Sequence, residues 1–303
     1  MIIITGGNGF LGHNLSKKFL DKNHEVIIID NKKSNSSAAK FIRCDITDER
    51  SLNKIIIKKK NIILHCAGQP SAAKSFEDPI LDLKVNILGT LNILNWAKKN
   101  NTTKIIYAST FNVYEENIRS CKLKETSPCK SKSLYSVSKK AAEDYIINYG
   151  SYIGLRWNIL RMFNIYGPGQ DPKNKFLGML SIFLNMARSN KKIFIKGSLD
   201  RFRDFIYIDD VVEAWYKVAL SEKNYNKVYN LGTGKKTYIK DLLKKIIKIT
   251  KSTSTIKQLD ATPGDFKGCY ADVNNLKKDF NFQSKTNLNL GIKNFNKWLD
   301  SIC

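Results

Sequence analysis

Tyr135 and Lys139 stand four residues apart in "YSVSKKAAEDY", the spacing that places two side chains on one face of a helix. A phenol is a weak base at neutral pH. Its pKa near 10 has to fall by about three units, roughly 4 kcal/mol, before it takes a proton efficiently, and an ammonium one turn away favours that fall. Upstream, "ASTFNVY" (108–114) ends the apolar run Lys104-Ile-Ile-Tyr-Ala with two hydroxyls, Ser109 and Thr110, and an amide, Asn112; no acid follows until Glu115. A buried strand ending this way offers hydrogen-bonding groups without a second proton carrier. The Tyr-xxx-Lys pattern alone carries little weight, because 13 Tyr and 43 Lys give about two chance matches and the chain holds one. Position gives it meaning.

The positioning elements begin at the first residue. "TGGNGFLG" sets Gly6, Gly9 and Gly12 three residues apart, after the strand "MIIIT" and before the helix "LGHNLSKKFLDKN". Glycines are required where the backbone turns tightly and where a pyrophosphate must approach helix-terminal amides with no Cβ between. A second strand, "HEVIIID", ends at Asp30, eighteen residues past Gly12, where a carboxylate accepts both ribose hydroxyls and repels a 2′-phosphate. The pattern predicts NAD rather than NADP. An oxidised nicotinamide beside Tyr135 would add the second positive influence that the phenol needs.

Continuous Ile/Val/Leu runs ("HEVIIID", "NIILHCA", "KIIYAST") alternate with helical spacers, which predicts a parallel sheet covered on both faces. The fold class expected is α/β: a Rossmann-like doubly wound parallel sheet with a smaller mixed α/β substrate-binding lobe. The turn-rich "GPGQDP" (167–172) separates them, giving a dinucleotide half over 1–166, with a return segment near 204–232, and a second lobe over 167–303. "KKKN" (58–61) is expected as the wet end of a helix. Segment 80–99 is apolar around most of its circumference, more than one sheet face requires, and predicts a helix with a partner.

Composition narrows the classes. The net charge is +24, from 51 Lys plus Arg against 27 acids, but only eight of those cations are Arg and the Lys are spread along the chain. Nucleic-acid binding wants a concentrated basic stripe or interleaved aromatics, so a solvated Lys surface is expected, with a field that attracts a small dianion. The three His lack ligand spacing, so no metal is expected, and the six Cys lack a disulfide pattern. With no membrane-length apolar run and no leader ahead of "MIIITGG", the sequence predicts a soluble cytoplasmic protein.

Read in order, the three glycines, Asp30, "CDITD", "HCAGQPSAAKS", "VNILGT", "ASTFNVY", Tyr135-xxx-Lys139, "RMFNIYGPGQDP", "RDFIYIDD", "YNLGTG" and "PGD…CYAD" resemble the extended short-chain dehydrogenases/reductases, and within them the NAD-dependent epimerase/dehydratase branch that includes UDP-hexose 4-epimerases. The resemblance covers nearly the whole chain. It implies that Phe10 and Leu11 meet the cofactor pyrophosphate, Asn31 joins Asp30 at the ribose, and Asp45 and Ile46 meet the adenine. Cys66, Ala67, Gly68 and Asn86 would line the ribose and phosphate side, with Phe163 near the nicotinamide. Thr110 would hydrogen-bond the sugar hydroxyl while Tyr135 acts as base and Lys139 holds the nicotinamide ribose. Asn164, Arg203 and Asp265 would serve the substrate, and Cys269 would gate its hexose pocket, a small residue leaving room for an acetamido group.

Relatives that eliminate water carry an Asp-Glu pair after the Thr, and decarboxylating relatives a Glu before the Val. Phe111 and Asn112 fill those places here, so the resemblance implies oxidation and re-reduction at one carbon, an epimerase of UDP-hexoses or UDP-N-acetylhexosamines. A nucleotide-linked 4-ketosugar reductase would use the same pair with an exchangeable cofactor. A non-catalytic NAD-binding redox sensor would commonly lack the Tyr or the Lys. Departures from the family pattern are Thr262 in place of an Arg before "PGD", Glu115 in place of a Gly, and no Pro ahead of Tyr135. The resemblance also implies a homodimer, through segment 80–99 and the helix after Tyr135.

Overall fold

The computed structural model describes residues 1–32, 39–115, 122–172, 174, 178–260 and 267–302. Seven parallel strands form its main sheet: β1 (Ile2–Thr5), β2 (Val26–Asp30), β3 (Lys40–Arg43), β4 (Asn61–His65), β5 (Thr102–Thr110), β6 (Arg156–Met162) and β7 (Lys227–Leu231). Their spatial order is β7-β6-β5-β4-β1-β2-β3. The chain runs outward from β1 to β3, then restarts at β4 on the other side of β1. Loops leaving β1 and β4 diverge at that reversal, and the crevice opens above the strands' carboxyl ends.

Side-chain alternation divides the core in two. Ile2, Ile4, Leu64 and Ile106 face α1 (Phe10–Asp21), while Ile3, Ile63, Ile105 and Tyr107 face α2 (Gly89–Lys99) and α3 (Leu134–Tyr145). Helix α4 (Ile208–Leu220) shares the first face, and Trp215 from it and Trp96 from α2 are wholly buried, one in each cluster. Strands with both faces covered need no polar alternation, which is why the Ile runs of β1 and β2 are unbroken.

Two elements differ from the sequence expectation. Segment 80–99 is no single α-helix: Pro79–Leu83 is followed by one π turn, Lys84–Leu88, before α2 begins. The wide turn surrounds Asn86, whose side chain bonds loop and neighbouring helix. The basic stretch at 58–60 is a loop entering β4, because the short helix Glu49–Asn53 ends well before it. Side chains at the end of α2 hold that loop: Trp96 Nε1 donates to the Ile55 carbonyl at 2.7 Å, and Ile57 N donates to Oδ1 of the capping Asn100 at 2.7 Å. Three consecutive Ile at 55–57 favour this extended path over a helix.

Beyond residue 162, short strands pair locally: Asn164–Tyr166 with Phe205–Tyr207, Phe202–Arg203 with Thr237–Tyr238, and Ile193–Lys196 with Ile256–Leu259. A third apolar cluster, of Val113, Tyr114, Leu123, Phe163, Cys269 and Ala271, joins these segments to the carboxyl ends of β5 and β6.

Candidate active site

A cavity of about 220 Å³ lies in the crevice, between the turn after β1, the end of β2 and the loop after β4. Gly6 has φ +68°, and a Cβ there would lie 2.6 Å from Ala67 N; a Cβ on Gly12 would lie 2.2 Å from the Gly6 carbonyl oxygen. Those two glycines let the turn, the loop and α1 close on one another. Gly9 differs, because a Cβ on it would meet only the Gly6 carbonyl, at 3.3 Å, and the residue lines the cavity. It precedes α1, whose first turn has no side-chain cap. Uncapped amides at a helix N-terminus suit a pyrophosphate.

Gly6, Gly9, Asp30, Asn31, Asp45, Ile46, Cys66, Ala67 and Gly68 all line this cavity. Main-chain amides of Asn8 and Lys32 donate to the Asp30 carboxylate at 3.0 and 2.9 Å, fixing it at the cavity wall. Burial pushes Asp45 up, but hydrogen bonds from the Thr47 amide and hydroxyl and from Asn31 outweigh it and hold the carboxylate ionised below its usual range. Phe10 and Leu11 begin α1 with side chains half-buried against the core, and neither lines this cavity. Asn86 sits behind the loop after β4. Its Oδ1 accepts from Gln69 N at 2.9 Å, and its Nδ2 donates to Ser138 Oγ at 3.0 Å and Asp82 Oδ1 at 3.1 Å. Asn86 therefore ties the cavity loop to α3. The donors, the glycine cradle and the acidic wall fit a dinucleotide with an unphosphorylated ribose.

The Tyr135–Lys139 pair lies beside this cavity, behind the loop after β4. Ser133 caps α3 in a reciprocal box with Ser136, and the amide of Tyr135 donates to Ser75 Oγ at 3.0 Å, so the first turn is pinned. Tyr135 is buried, with Thr110 at the end of β5 close enough to its hydroxyl to favour the phenolate. Burial pushes the phenol up to about 12, Thr110 opposing. Lys139, one turn on, is equally buried. Its Nζ sits 4.1 Å from the centre of the Tyr107 ring, a cation–π contact. Burial pushes Lys139 down to about 8; Cys66, whose thiol burial keeps protonated, and the carboxylates of Glu143 and Asp82 act the other way. A pair expected to lower the phenol's pKa does not do so in the protein alone, since the ammonium is held against Tyr107 and desolvation outweighs it.

The turn after Thr110 supplies no acid. Phe111 stacks on Phe163 with ring centres 5.1 Å apart, and Asn112 donates its amide to Thr110 Oγ1 at 3.2 Å. Phe163 is itself fully buried in the third cluster. The two nearby buried carboxylates are committed elsewhere: Asp82 accepts from Gln69 and Asn86, and Glu143 pairs with Arg161.

The substrate-side candidates form a looser group. Asn164 donates both its amide and its Nδ2 to the Asp204 carbonyl, at 3.1 and 2.9 Å. Arg203 is buried and donates from Nη1 to the Phe202 carbonyl at 2.8 Å. Its neighbour Asp204 serves a different end, accepting hydrogen bonds from Thr233 N and Oγ1, Gly234 N and Ala271 N, so it locks the "LGTG" turn. Cys269 is buried in the third cluster beside Phe163. Asp265 and Thr262 lie outside the described residues. Sequence reasoning missed Tyr107, Ser75, Ser138 and Gln69. The one signal was Tyr107, the sole aromatic in β5.

A doubly wound sheet with a glycine cradle at its switch point and a Tyr–Lys pair on the helix beyond defines a dinucleotide-dependent α/β enzyme of the short-chain dehydrogenase/reductase type. The NAD-dependent epimerase/dehydratase family model matches residues 2–232. The chain belongs to that family, and NAD is its cofactor. It is 36% identical over 247 residues to a putative UDP-glucose 4-epimerase of Methanocaldococcus jannaschii, covering 80% of each chain. The structure of UDP-glucose 4-epimerase from Thermotoga maritima, solved with UDP-glucose, superposes with a TM-score of 0.93 at 30% identity, covering 99% of both chains. That of UDP-N-acetylglucosamine 4-epimerase from Methanobrevibacter ruminantium, in complex with UDP-N-acetylmuramic acid, gives 0.92 at 29%, over 100% and 98%.

Proposed function

We propose that this chain is a UDP-hexose 4-epimerase that also turns over the N-acetylated hexosamine. The observation that carries the reading is the single buried base: Tyr135 beside Thr110, Lys139 one turn behind, and a following turn of Phe111 and Asn112 that can transfer no proton. One base with no acid partner suits loss and regain of hydrogen at one carbon, whereas elimination needs a second proton carrier. Reversible hydride exchange at that carbon is the chemistry NAD supplies when bound. Tyr135 removes the O4 proton, Thr110 orients that hydroxyl, and Lys139 holds the nicotinamide ribose. The 4-keto sugar turns over while its diphosphate stays gripped by Asn164 and Arg203, with Asp265 a further substrate contact, and Tyr135 returns the proton to O4. In this reading Phe10 and Leu11 offer backbone amides to the pyrophosphate, Asp30 and Asn31 hold the adenosine ribose, Asp45 and Ile46 the adenine, and Phe163 backs the nicotinamide.

Residues 1–166 with 204–232 form the dinucleotide half, and the rest of 167–303 the sugar-nucleotide lobe. The test is a panel of UDP-, GDP- and dTDP-hexoses incubated with the protein and no added cofactor. Interconversion of UDP-glucose with its C4 epimer is expected; a requirement for stoichiometric NAD would contradict the reading.

Cys269 supports the wider substrate range, being a small side chain beside Phe163 at the strand ends. Cys269→Tyr is expected to suppress turnover of UDP-N-acetylglucosamine selectively, by about tenfold or more relative to UDP-glucose, since a misfitting group in a pocket costs about 1–3 kcal/mol. Equal loss of both substrates would count against the gate.

A homodimer follows from the large apolar side chains left exposed on neighbouring helices: Phe76, Ile80, Leu83 and Leu88, with Leu134, Val137 and Tyr145 of α3. A monomeric mass in solution would contradict it. Among the described residues no helix is long and apolar enough to cross a membrane, and Cys44, Cys66, Cys129 and Cys269 are all free thiols. Free thiols suit a reducing compartment, and we place the protein in the cytoplasm; fractionation with a membrane would argue otherwise.

A further inference from the structure

Glu143 is completely buried, and no step above requires it. It lies on α3 four residues after Lys139 and eight after Tyr135, on their side of the helix. Its Oε1 accepts hydrogen bonds from Ser109 Oγ and from Arg161 Nε at 2.9 Å, and its Oε2 accepts one from Arg161 Nη2 at 2.6 Å. Ser109 and Arg161 are direct cross-strand partners in β5 and β6, each one residue before the Thr110–Met162 pair. Arg161 also donates to the Glu125 carbonyl at 3.2 Å and sits 4.7 Å from the Tyr114 ring, whose hydroxyl donates to Asn230 of β7 at 2.6 Å. One buried ion pair thus touches α3, β5 and β6 directly, and β7 through Tyr114.

We propose that the Glu143–Arg161 pair positions the catalytic helix, fixing the rotation of α3 against β5 so that Tyr135 meets Thr110. The proposal rests on Tyr135 being the base. Stability alone gives no reason to bury such a pair, because well-packed apolar residues do as well or better. What it adds is direction: a carboxylate gripped twice by one guanidinium has a single geometry, whereas apolar contacts allow a helix to slide. Its location beside Thr110 places that constraint where a shift matters. The groups facing Lys139 are Glu143, Asp82, the Cys66 thiol, the Tyr107 ring and the neutral, buried His65. Removing Glu143 leaves Asp82 as the one described carboxylate favouring the ammonium.

The test compares Glu143→Leu/Arg161→Met with wild-type protein carrying its NAD. Thermal melting checks the fold, and turnover of UDP-glucose is followed from pH 6 to 10. The expected result is a folded protein with kcat lower by about 10- to 100-fold, the loss that follows a displacement of about 1 Å at reacting atoms. KM should change by no more than about twofold, because a turn of α3 alters the chemical step rather than the hold on the diphosphate. The alkaline fall in kcat should move to lower pH. Wild-type kcat with an unmoved pH profile would overturn the proposal. Should the double variant fail to fold, Ser109→Ala decides: it removes one hydrogen bond, leaves the charges paired, and should lower kcat several-fold at constant KM, while unchanged kcat would overturn the proposal. Tyr135→Phe runs alongside. If it is inactive while the double variant behaves as wild type, only the positioning role is lost; if it is fully active, the base assignment falls and the proposal with it.

Discussion

Tyr135→Phe is expected to lower epimerase turnover by about 10²- to 10⁴-fold, the range a positioned general base contributes, while leaving the fold and the sugar-nucleotide affinity nearly intact. The substitution removes only one hydroxyl, beside Thr110, and leaves the ring that fills the site in place. Thr110 keeps its bond from the Asn112 amide, so it is not orphaned. No neighbour can take the role. Asp82 and Glu143, the closest buried carboxylates, are already bonded to Gln69 and Asn86 and to Ser109 and Arg161. Single-turnover measurement of UDP-glucose conversion, with binding followed separately, distinguishes loss of chemistry from loss of affinity. The phenol's own state sharpens the expectation. Burial holds it up near 12, and in the proposed mechanism the positive charge of an oxidised nicotinamide would favour the phenolate. A site emptied of NAD should titrate Tyr135 only above pH 10.

The second large effect concerns the cradle. A Cβ on Gly12 would lie 2.2 Å from the Gly6 carbonyl oxygen and 2.6 Å from Gly7 Cα. Both are backbone atoms and cannot rotate away, so Gly12→Ala must push α1 off the turn. Overpacking of this kind costs about 1–3 kcal/mol, and displacement of the helix terminus should reduce the NAD retained through purification at least about tenfold, equivalent to 1.4 kcal/mol. Gly9→Ala is the informative contrast, since its Cβ meets only one protein atom, at 3.3 Å. It should melt within about 0.5 kcal/mol of wild type, as substitutions clear of the core do, and still lose NAD. Quantifying dinucleotide released on denaturation, beside the melting curves, checks both. Equal stability loss in the two variants would mean the cradle is shaped by protein packing alone.

Much of this is legible in the residues themselves. The unbroken Ile runs announce a sheet covered on both faces, and glycine spacing with Asp30 announces the dinucleotide crevice, because each feature is local: a strand, a turn and one acid at a fixed distance. Tyr135 and Lys139 share a helix face for the same reason. The π turn around Asn86 was not legible, since nothing in "LKVNILGT" departs from ordinary helical spacing. It exists because Gln69, Asp82 and Ser138 converge on one amide, and two of those three come from other segments. Asp204 is a second case: Thr233, Gly234 and Ala271 arrive from distant parts of the chain to bind its carboxylate. Side-chain chemistry follows from residue type; which backbone amide meets it depends on the topology.

The most direct test of the central claim follows a label. UDP-glucose carrying deuterium at C4 is incubated with purified protein, no NAD added, and the epimeric product is isolated. Deuterium retained at C4 of the product, with no reduced dinucleotide accumulating in solution, is the predicted result. Exchange of that deuterium with solvent, or release of a 4-keto sugar in proportion to reduced cofactor, would contradict it.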